Sequence, residues 1–378
     1  MAVTPSVLII INPVEGYARA IMRGVLRFVR AHTDWECIQI LPPVPDAVAM
    51  RDYGMIQGVI AEARTTAEVR ALENLDAPAV IVAGVKGSTR AAHVIADNVA
   101  VGCLAFEHFR GLGFRSFAFA AWPDAWLAEV RGGAYAQRVR EAGYPLHDGL
   151  PAPTGRRRRD QQILNRWIRN LPHHTAVFAV DDRMGRDTIL AARNAGIAVP
   201  EQIAVLGVDN DELVCELTSP PLSSIDNGTF QIGYQAAALL QRLMNGEKDV
   251  GSPLIISPPQ VVTRQSTETL AVEHPRVVAA LRYIRQFACD GIGIADILHH
   301  APGSRRALER EVRRVLGRTL QQELTRVRME RARQFLRETD LSMIDIAERT
   351  SISSASQFSI IFKRETGLTP TRYRHQDR

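Results

Sequence analysis

The sequence has few cysteines, no long apolar run and no basic leader segment. Its four cysteines lie far apart, without a CxxC pair or a Cys/His cluster, which argues against a disulfide framework or a zinc site. No apolar stretch approaches the roughly 18 residues of a membrane span, so we expect no membrane partner. Because no basic segment precedes the first apolar stretch, we predict no signal peptide and a cytoplasmic protein. These absences disfavour an extracytoplasmic sugar-binding protein.

Enzyme motifs are also missing. No GxGxxG or GxxxxGK[ST] segment follows the first predicted strand, and no nucleophile elbow or metal triad is present. We therefore predict no catalytic residue, no metal site and no cofactor. The alternative function is an α/β enzyme acting on a sugar or nucleotide and carrying a basic helical appendage. Turnover of candidate sugars with ATP or NAD would reveal it.

Basic charge is concentrated at the C-terminal end of the chain. Residues 273–378 hold 20 Lys and Arg against 13 Asp and Glu, whereas residues 1–272 hold 26 against 28. A basic small domain beside a near-neutral larger one indicates a nucleic-acid-binding appendage. A solvated helical face produces the same charge pattern, so charge alone leaves both interpretations open.

Strand-like and helical patterns alternate along the first two thirds of the chain. Ser6–Ile11 reads as a strand and Gly16–Ala31 as an amphipathic helix, and this pairing recurs to about residue 244. Repeated βα units predict parallel sheets covered by helices, and two successive sets predict two lobes. The length of 378 residues agrees with two or three domains.

Polar residues follow several of the predicted strands, where open parallel sheets bind ligands. Asn12 occupies such a position, as do the pairs Asp97–Asn98, Asp181–Asp182 and Asp209–Asn210. Each one alone is more often a helix cap or a turn residue. Several together suit a polyol, because carboxylates accept hydrogen bonds from hydroxyls and amides both donate and accept. Trp126 follows the strand predicted at 116–121. Its ring would either cover the apolar face of a sugar or pack as an ordinary aromatic residue.

Six short motifs lie near the later predicted strands and helices: Val205–Asn210, Ser219–Ile225, Ile232–Ala237, Val262–Thr267, Asp181–Asp182 and Gly196–Pro200. Together they resemble the effector-binding core of lac-repressor-type regulators over residues 5–267. The resemblance implies a periplasmic-binding-protein-like fold for residues 1–266, with two α/β lobes and a sugar in the cleft. That family carries its helix-turn-helix at the N-terminus, whereas here the first strand starts almost at once.

The resemblance also implies lobe boundaries and site residues. Lobe 1 would comprise about 1–121 and 227–255, and lobe 2 about 122–226 and 256–266, with the first crossover near Ala121–Trp122. Arg131, ahead of Ala134–Tyr135, matches the family's effector-binding arginine, whose planar fork donates to two hydroxyls. The predicted effector-binding residues are Asn12, Tyr17, Arg19, Asp97, Trp126, Arg131, Asp181, Asp182, Asp209 and Asn227.

An internal repeat with an offset of 50 residues follows a polar linker at 267–275. Ser304 pairs with Ser354, and Gly317 pairs with Gly367. Each copy reads as a short helix, a turn, a second helix opening at Ser, and a Gly stop. The pattern predicts two helix-turn-helix units in an all-α domain, joined by a long helix. A single such unit would be weaker evidence, because antiparallel helix pairs are common scaffolding.

The run Phe358–Arg374, with Arg331–Ala332 on the connecting helix, resembles the AraC-type DNA-binding domain over residues 276–375. Ser351 stands where the second turn usually has Gly, which leaves that turn's conformation open. The resemblance implies recognition helices about 34 Å apart in successive major grooves. The predicted DNA-contacting residues are Ser304, Arg305, Arg306, Glu309, Arg310, Ser353, Ser354, Gln357, Lys363 and Arg364. For each arginine, an ordinary surface charge is the alternative interpretation.

Together the two parts resemble the xylose-operon regulators. The resemblance implies a sugar-responsive activator of a carbohydrate-catabolism operon, with D-xylose or another pentose as its effector. Its expected partners are operator or promoter DNA, a second copy of the chain and RNA polymerase. We expect it in the cytoplasm, at the nucleoid when it is bound to DNA. The residues do not specify the sugar, the operator or the sign of regulation.

Overall fold

The structure is a computed structural model that describes residues 4–45, 53–82, 91–123, 126–147, 149–247, 253–258, 260–268, 275–301 and 303–376. The chain divides into two units, Met1–Phe109 with Arg115–Thr269 and Arg110–Phe114 with Leu270–Arg378. Among the described residues, no helix is both long and apolar enough to cross a membrane. All four cysteines are free, and each is at least partly buried.

Strands and helices alternate along the first unit. The strands are β1 (Ser6–Ile10), β2 (Glu36–Ile40), β3 (Gly58–Ala61), β4 (Ala79–Ile81), β5 (Ala92–Ala96), β6 (Ser116–Ala120), β7 (Leu146–His147), β8 (Thr175–Ala179), β9 (Ile203–Val208), β10 (Ser223–Asp226), β11 (Leu254–Ile256) and β12 (Gln260–Val262). The helices are α1 (Gly16–His32), α2 (Thr66–Glu73), α3 (Asn98–Gly111), α4 (Trp126–Glu141), α5 (Arg157–Arg169), α6 (Asp182–Ala195), α7 (Glu212–Leu217) and α8 (Thr229–Met244).

The first sheet has the order β11-β5-β4-β3-β1-β2, and its strand pairs are parallel. Both faces are covered, which explains why β1 and β3 are almost wholly apolar and buried. On one face, α1 and α8 pack through residues such as Ile21, Phe28 and Ile232. On the other face, Val69 and Leu72 of α2 pack against the sheet.

Two glycines let α1 and α8 approach closely. A Cβ at Gly24 would lie 2.0 Å from the carbonyl oxygen of Phe230. A Cβ at Gly233 would lie 2.0 Å from the carbonyl oxygen of Ile21. Because both obstacles are backbone atoms, a larger residue at either position would force the helices apart.

The second sheet has the order β12-β10-β9-β8-β6-β7, in which β12 runs antiparallel to β10. Phe117, Tyr135 and Phe178 are fully buried, and the rings of Tyr135 and Phe178 lie 5.1 Å apart. Residues of α5 and α6, including Ile168 and Ile189, pack in a second cluster with strands of this sheet. Each large apolar side chain buried in this way contributes about 1.5–3 kcal/mol to folding.

The first crossover between the lobes lies earlier than predicted. β6 belongs to the second sheet, so its placement in lobe 1 with a crossover near Ala121–Trp122 is wrong. Helix α3 already packs on the second lobe, since the rings of Phe106 and Phe117 lie 5.5 Å apart. The chain therefore changes lobes between β5 and α3. Strands buried on both faces have the same apolar pattern in either sheet, so periodicity does not show which sheet β6 joins.

The chain crosses between the lobes twice more. After β10 in the second sheet, α8 packs on α1 of the first lobe. β11 then joins the first sheet and β12 the second, so the last crossing lies between these two strands. A 3-10 turn at Gln265–Thr267 ends the unit, and its Ser266 hydroxyl donates to the carbonyl of Val205 at 2.6 Å.

The described part of the second unit is helical. Its helices are α9 (Pro275–Phe287), α10 (Ile294–His300), α11 (Arg305–Leu316), α12 (Leu320–Glu338), α13 (Met343–Arg349), α14 (Ala355–Thr366) and α15 (Pro370–Gln376). Two hydrophobic clusters form, and α12 contributes Leu324 to the first and Leu336 to the second. Gly317 and Gly367 end α11 and α14 in the left-handed conformation, as the repeat predicts.

Candidate functional site

A cavity of about 400 Å³ lies between the two lobes of the first unit. Its walls come from segments that follow strands of both sheets, the position at which open α/β sheets bind ligands. The lining residues are Glu15, Gly16, Tyr17, Glu62, Arg64, Val82, Ile95, Ala96, Asn98, Leu127, Arg131, Asp181, Asp182, Arg183, Asp209, Asp211 and Val214. Most are charged or polar, which suits a ligand rich in hydrogen-bonding groups.

Arg131, from α4, is a buried cation in this cavity, with 2% of its side chain exposed. Its Nε donates to Oδ1 of Asn98 at 2.8 Å, and its Nη1 donates to the carbonyl of Val180. Its Nη2 lies 3.6 Å from Oδ1 of Asp209. These partners hold the guanidinium in one orientation. The arginine is therefore pre-organised as a donor to the cavity.

Asp209 follows β9 on a strained backbone. It has φ of 101°, and Asn210 has φ of 50°, values that non-glycine residues rarely adopt. Asn227, fully buried behind it, donates from Nδ2 to Oδ1 of Asp209 at 2.7 Å. Burial raises the pKa of Asp209 to about 7, although Arg131 acts in the opposite direction. The carboxyl is held in place and is costly to ionise.

The two acids after β8 have different roles. Asp181 caps α6, since its Oδ1 accepts from the amide of Met184 at 2.7 Å. Asp182 is 3% exposed and accepts from the hydroxyl of Ser224 at 2.5 Å and from the amide of Asp211 at 2.7 Å. Burial raises the pKa of Asp182 well above its ordinary value. Asp182 therefore supports the turn that carries Asp209, although it also borders the cavity.

The first lobe presents an ion-pair chain beside Tyr17. The Tyr17 hydroxyl donates to the carbonyl of Val82 at 2.6 Å, and burial raises its pKa. Glu62 accepts from Nε of Arg64 at 2.8 Å. Arg64 also donates from Nη2 to Oε2 of Glu15 at 2.7 Å. The wall of the first lobe thus consists of paired charges around a fixed phenol.

Direct contacts join the two lobes at one side of the cavity. The amide of Gly16 donates to Oδ2 of Asp211 at 2.9 Å. Nη2 of Arg183 lies 2.9 Å from Oε1 of Glu15. A Cβ at Gly16 would lie 2.1 Å from Cγ of Asp211, so a larger residue at position 16 would displace the Asp211 side chain. We call these contacts the interlobe bridges.

The structure brings five predicted effector residues together at the cavity: Tyr17, Arg131, Asp181, Asp182 and Asp209. Asn227 supports Asp209 from behind. The side chain of Trp126 lies outside the described residues.

Three predicted effector residues do not line the cavity. Oδ1 of Asn12 accepts from the amide of Val14 at 3.2 Å in a local turn. Arg19 donates to the carbonyls of the same loop and lies 3.4 Å from Asp211. Asp97 caps α3 through the amide of Ala100 at 2.8 Å. In this structure local capping and loop closure use their polar atoms, and their assignment to effector binding stays a prediction.

Several lining residues are absent from the predicted effector-binding set: Glu15, Glu62, Arg64, Asn98, Arg183 and Asp211, of which Asn98 is one of the polar residues that follow a strand. Glu62 directly follows β3, so the rule that selects polar residues after strands would have found it. Asn98 is adjacent to Asp97 and is the member of that pair that faces Arg131. The remaining residues lie in loops that lack a recognisable pattern.

The first helix-turn-helix copy presents an arginine-rich recognition helix, α11. Ser304 caps it by accepting from the amide of Ala307 at 3.2 Å. Arg306 and Arg310 are exposed at its N-terminal half. Arg305 is also exposed and pairs with Glu309 at 2.9 Å, one turn along the helix. The predicted DNA-contacting residues of this copy thus share the exposed beginning of α11.

The second copy presents a less charged surface on α14. Ser354 caps the helix by accepting from the amide of Gln357 at 3.2 Å, and the Ser353 hydroxyl donates to Oε1 of Gln357. These three side chains are exposed, as are Lys363 and Arg364 near the end of the helix. Ile360, which is absent from the prediction, is 69% exposed and lies one turn beyond Gln357.

Ser351 adopts the left-handed conformation that glycine usually supplies, with φ of 52°. Its hydroxyl donates to the carbonyl of Cys289 at 2.6 Å and accepts from the amide of Gly291 at 2.9 Å. The second turn therefore keeps the left-handed geometry without glycine. The serine also ties this turn to the connection between α9 and α10.

The chain matches two domain families and several characterised proteins. The family described as a periplasmic binding protein-like domain matches residues 106–267, and the one described as a helix-turn-helix domain matches residues 299–376. The xylose operon regulatory protein of Haemophilus influenzae is 31% identical over 381 residues, covering 97% of each chain. That of Escherichia coli K12 is 31% identical over 382 residues, covering 97% of this chain and 96% of its own.

A solved structure of a xylose-binding transcription activator is also similar. It has 29% sequence identity and a TM-score of 0.64, and the match covers 100% of this chain and 99% of that one. Both units therefore occur together, in the same order, in related proteins. The chain belongs to the family of xylose operon regulatory proteins, which are transcription regulators and not enzymes.

Proposed function

We propose that this regulator binds a pentose, with D-xylose as the first candidate, in the cavity between its lobes. The sugar would change how its paired helix-turn-helix units bind operator DNA and would activate a carbohydrate-catabolism operon. The observation that carries the proposal is the cavity in which buried Arg131 lies 3.6 Å from Asp209, within a chain that also carries two helix-turn-helix copies. The printed names of the relatives support xylose as the first sugar to test.

The proposed mechanism uses a ligand that contacts both lobes. Arg131 and Asp209 belong to the second lobe, whereas Tyr17 belongs to the first. A sugar whose hydroxyls bond to residues of both lobes favours the closed arrangement over an open one. It shifts the equilibrium only by its difference in affinity for the two states.

The remaining effector residues have roles that follow from their contacts. We assign Asp181 and Asp182 to the wall of the second lobe, with Asn227 holding Asp209 in position. For DNA binding, we assign Arg305, Arg306 and Arg310 to base or phosphate contacts, since all are exposed on α11. Glu309 would set the position of Arg305 through their ion pair.

The second recognition helix would contact DNA through its N-terminal residues Ser353, Ser354 and Gln357. Glutamine suits adenine because it can donate and accept at the same base edge. Lys363 and Arg364 would bind phosphates, together with the N-cap Ser304 of α11. These contacts fix position on the duplex without reading sequence.

We further propose a homodimer that acts in the cytoplasm and contacts RNA polymerase at the promoter. Two chains would place four helix-turn-helix units on DNA, so we expect an operator with two repeated sites. Sedimentation of the full chain with and without operator DNA tests the dimer. A monomer on a single half-site would contradict it.

The function is tested by thermal unfolding of the full chain against a panel of pentoses and hexoses. A sugar at 100 times its Kd stabilises a single site by about 2.7 kcal/mol, which gives a clear rise in Tm. Operator binding is then measured with and without that sugar. Absence of a shift with every sugar would contradict the proposed effector class.

The Asp209→Asn variant tests the site itself. It keeps the shape of the side chain and replaces one carboxyl oxygen with an amide donor beside Arg131 and Asn227, so we expect a loss of sugar affinity of at least tenfold. Asp187→Asn is the matched control, because Asp187 is a partly exposed aspartate that pairs with Arg186 and is not among the residues lining the cavity. Equal sugar affinity in both variants would contradict the site.

A further inference from the structure

Glu62 holds an unpaired carboxylate oxygen in the wall of the cavity. The residue is 3% exposed and directly follows β3, where its amide donates to the carbonyl of Ile10 at 2.9 Å. Its Oε1 accepts from both Nε and Nη2 of Arg64, at 2.8 and 2.5 Å. Its Oε2 is buried and has no hydrogen-bond partner among the described residues. Oε2 of Glu62 is therefore a hydrogen-bond acceptor in the cavity wall that lacks a donor among the described residues.

An unpaired buried carboxylate oxygen is costly. Leaving a buried polar atom without a partner costs about 1–3 kcal/mol, and more when the group is charged. A guanidinium fork can satisfy both oxygens of a carboxylate in a bidentate pair. Here both nitrogens of Arg64 bind Oε1 alone, so the ion pair leaves Oε2 for another donor. A donor from a molecule in the cavity would remove the cost.

The charges around the cavity favour a neutral donor. Each arginine that lines it has a carboxylate partner: Arg131 faces Asp209, Arg64 pairs with Glu62 and Glu15, and Arg183 pairs with Glu15. A phosphate or carboxylate group on a ligand would compete for these cations and would approach several acids. A hydroxyl donates to Glu62 without breaking any of these pairs.

We propose that Glu62 is an effector-binding residue, whose Oε2 accepts a hydrogen bond from a hydroxyl of an uncharged sugar. This inference rests on the proposed function and adds a residue and a ligand class to it. It predicts that sugar phosphates and sugar acids are poor effectors. It also predicts that one hydroxyl of the sugar is recognised through Glu62.

The test is calorimetric titration of the full-length protein and its Glu62→Gln variant with D-xylose and its monodeoxy analogues, and of the wild type also with xylose 5-phosphate and xylonate. Glutamine keeps an oxygen for Arg64 but presents an amide donor where the carboxylate accepted. We expect at least tenfold weaker binding of xylose to Glu62→Gln. One deoxy analogue should bind the wild type at least tenfold more weakly than xylose, yet bind the variant about as well as xylose does. This non-additivity would identify the hydroxyl, since a purely structural role of Glu62 would weaken all analogues alike.

The control is Glu247→Gln, which removes an exposed carboxylate paired with Arg242 away from the cavity. It should bind xylose as the wild type does. If Glu62→Gln fails to fold, Glu62→Asp keeps the charge beside Arg64 and withdraws the oxygen, and the same loss of affinity is expected. Thermal unfolding of each variant without sugar verifies folding.

Three outcomes separate the inference from the proposed function. If xylose binds the wild type and Glu62→Gln equally, or every deoxy effect is additive, the role of Glu62 is overturned and the sugar site stands. If xylose 5-phosphate or xylonate binds more tightly than xylose, the uncharged ligand class is overturned. If no sugar of the panel binds the wild type, both proposals fail together.

Discussion

The two helix-turn-helix copies share one backbone plan but differ in their cores. In the first copy, Leu308 and Val312 of α11 pack in an aliphatic cluster with Leu281 and Ile284 of α9. In the second, Phe358 and Phe362 of α14 occupy the matching positions, 5.5 Å apart between ring centroids. Each core also includes a flanking helix, α9 in the first copy and α15 through Tyr373 in the second, so the copies differ in the size of the side chains that α11 and α14 bury.

The exposed faces of the recognition helices also differ, but here the larger side chains belong to the first copy. The first copy exposes long arginines on α11, whereas the second exposes serines, Gln357 and Ile360 on α14. Arginine supplies charge and reads guanine, while glutamine and apolar groups suit adenine and the thymine methyl group. We therefore predict that the first copy supplies most of the affinity for DNA, and that Gln357 of the second copy adds sequence discrimination.

The largest expected effect concerns the cores. Phe358→Ala should destabilise the second copy by about 3–5 kcal/mol, because it removes a fully buried ring between two helices. Val312→Ala removes far less volume from the first copy and should cost about 1–2 kcal/mol. Hydrogen exchange of the full chain measures each copy separately. Equal loss of protection in the two copies would contradict the difference in core filling.

The next largest effect concerns affinity. Replacing Arg306 and Arg310 together with Ala should weaken operator binding at least a hundredfold. If these side chains bind phosphates, the slope of log K against log salt should fall by about 0.9 for each phosphate that is no longer neutralised. Arg157→Ala, an exposed arginine on α5 of the first unit, is the control. An unchanged salt slope and affinity would remove α11 from the DNA interface.

A smaller and more selective effect is expected on α14. Gln357→Ala should cost about 1–3 kcal/mol on the preferred operator and little on an operator changed at the base pair it reads. The salt slope should not change, because the substitution removes no cation. Gln321→Ala on α12 is the matched control, since Gln321 is also an exposed glutamine. Uniform weakening across operators would argue that Gln357 contacts the backbone.

The smallest effect concerns the turn at Ser351, a left-handed position held by serine. Ser351→Ala should destabilise the second unit by about 1–2 kcal/mol, because it removes two hydrogen bonds to the α9–α10 connection. Ser351→Gly removes the same bonds but relieves the left-handed backbone, so it should be the more stable of the two. Chemical denaturation compares them. A more stable alanine variant would show that the backbone at 351 is unstrained.

Much of this architecture is predictable from sequence because periodicity and turn residues act locally. Most strands of the first unit and the helices of the two helix-turn-helix copies follow apolar spacing, caps and glycine stops, with Ser304 and Ser354 as helix caps. Strands β5, β7 and β10–β12 and helix α15 lie outside the predicted elements. Periodicity does not show which sheet a strand joins. The prediction that β6 belongs to lobe 1 is wrong for that reason.

The site is only partly predictable because caps and ligand-binding residues use the same side chains. Asp97 and Asp209 both follow strands, yet the Asp97 carboxylate caps α3 while that of Asp209 faces Arg131. The difference depends on the left-handed backbone at 209, which the sequence does not encode in any simple pattern. Glu62 is an error of omission. It follows β3 and so satisfies the rule that selects polar residues after strands, yet it is absent from the predicted effector-binding residues.

The interlobe bridges affect the fraction of protein whose lobes are closed without a sugar. The Glu15–Arg183 contact joins the lobes through the protein's own side chains, and Arg183 is 53% exposed. A pair this exposed contributes about 0–1 kcal/mol, which changes the ratio of closed to open protein by no more than about fivefold. Under the proposed function, most of the free energy of lobe closure must therefore come from the amide of Gly16 on Asp211 and from the contacts that the sugar itself makes.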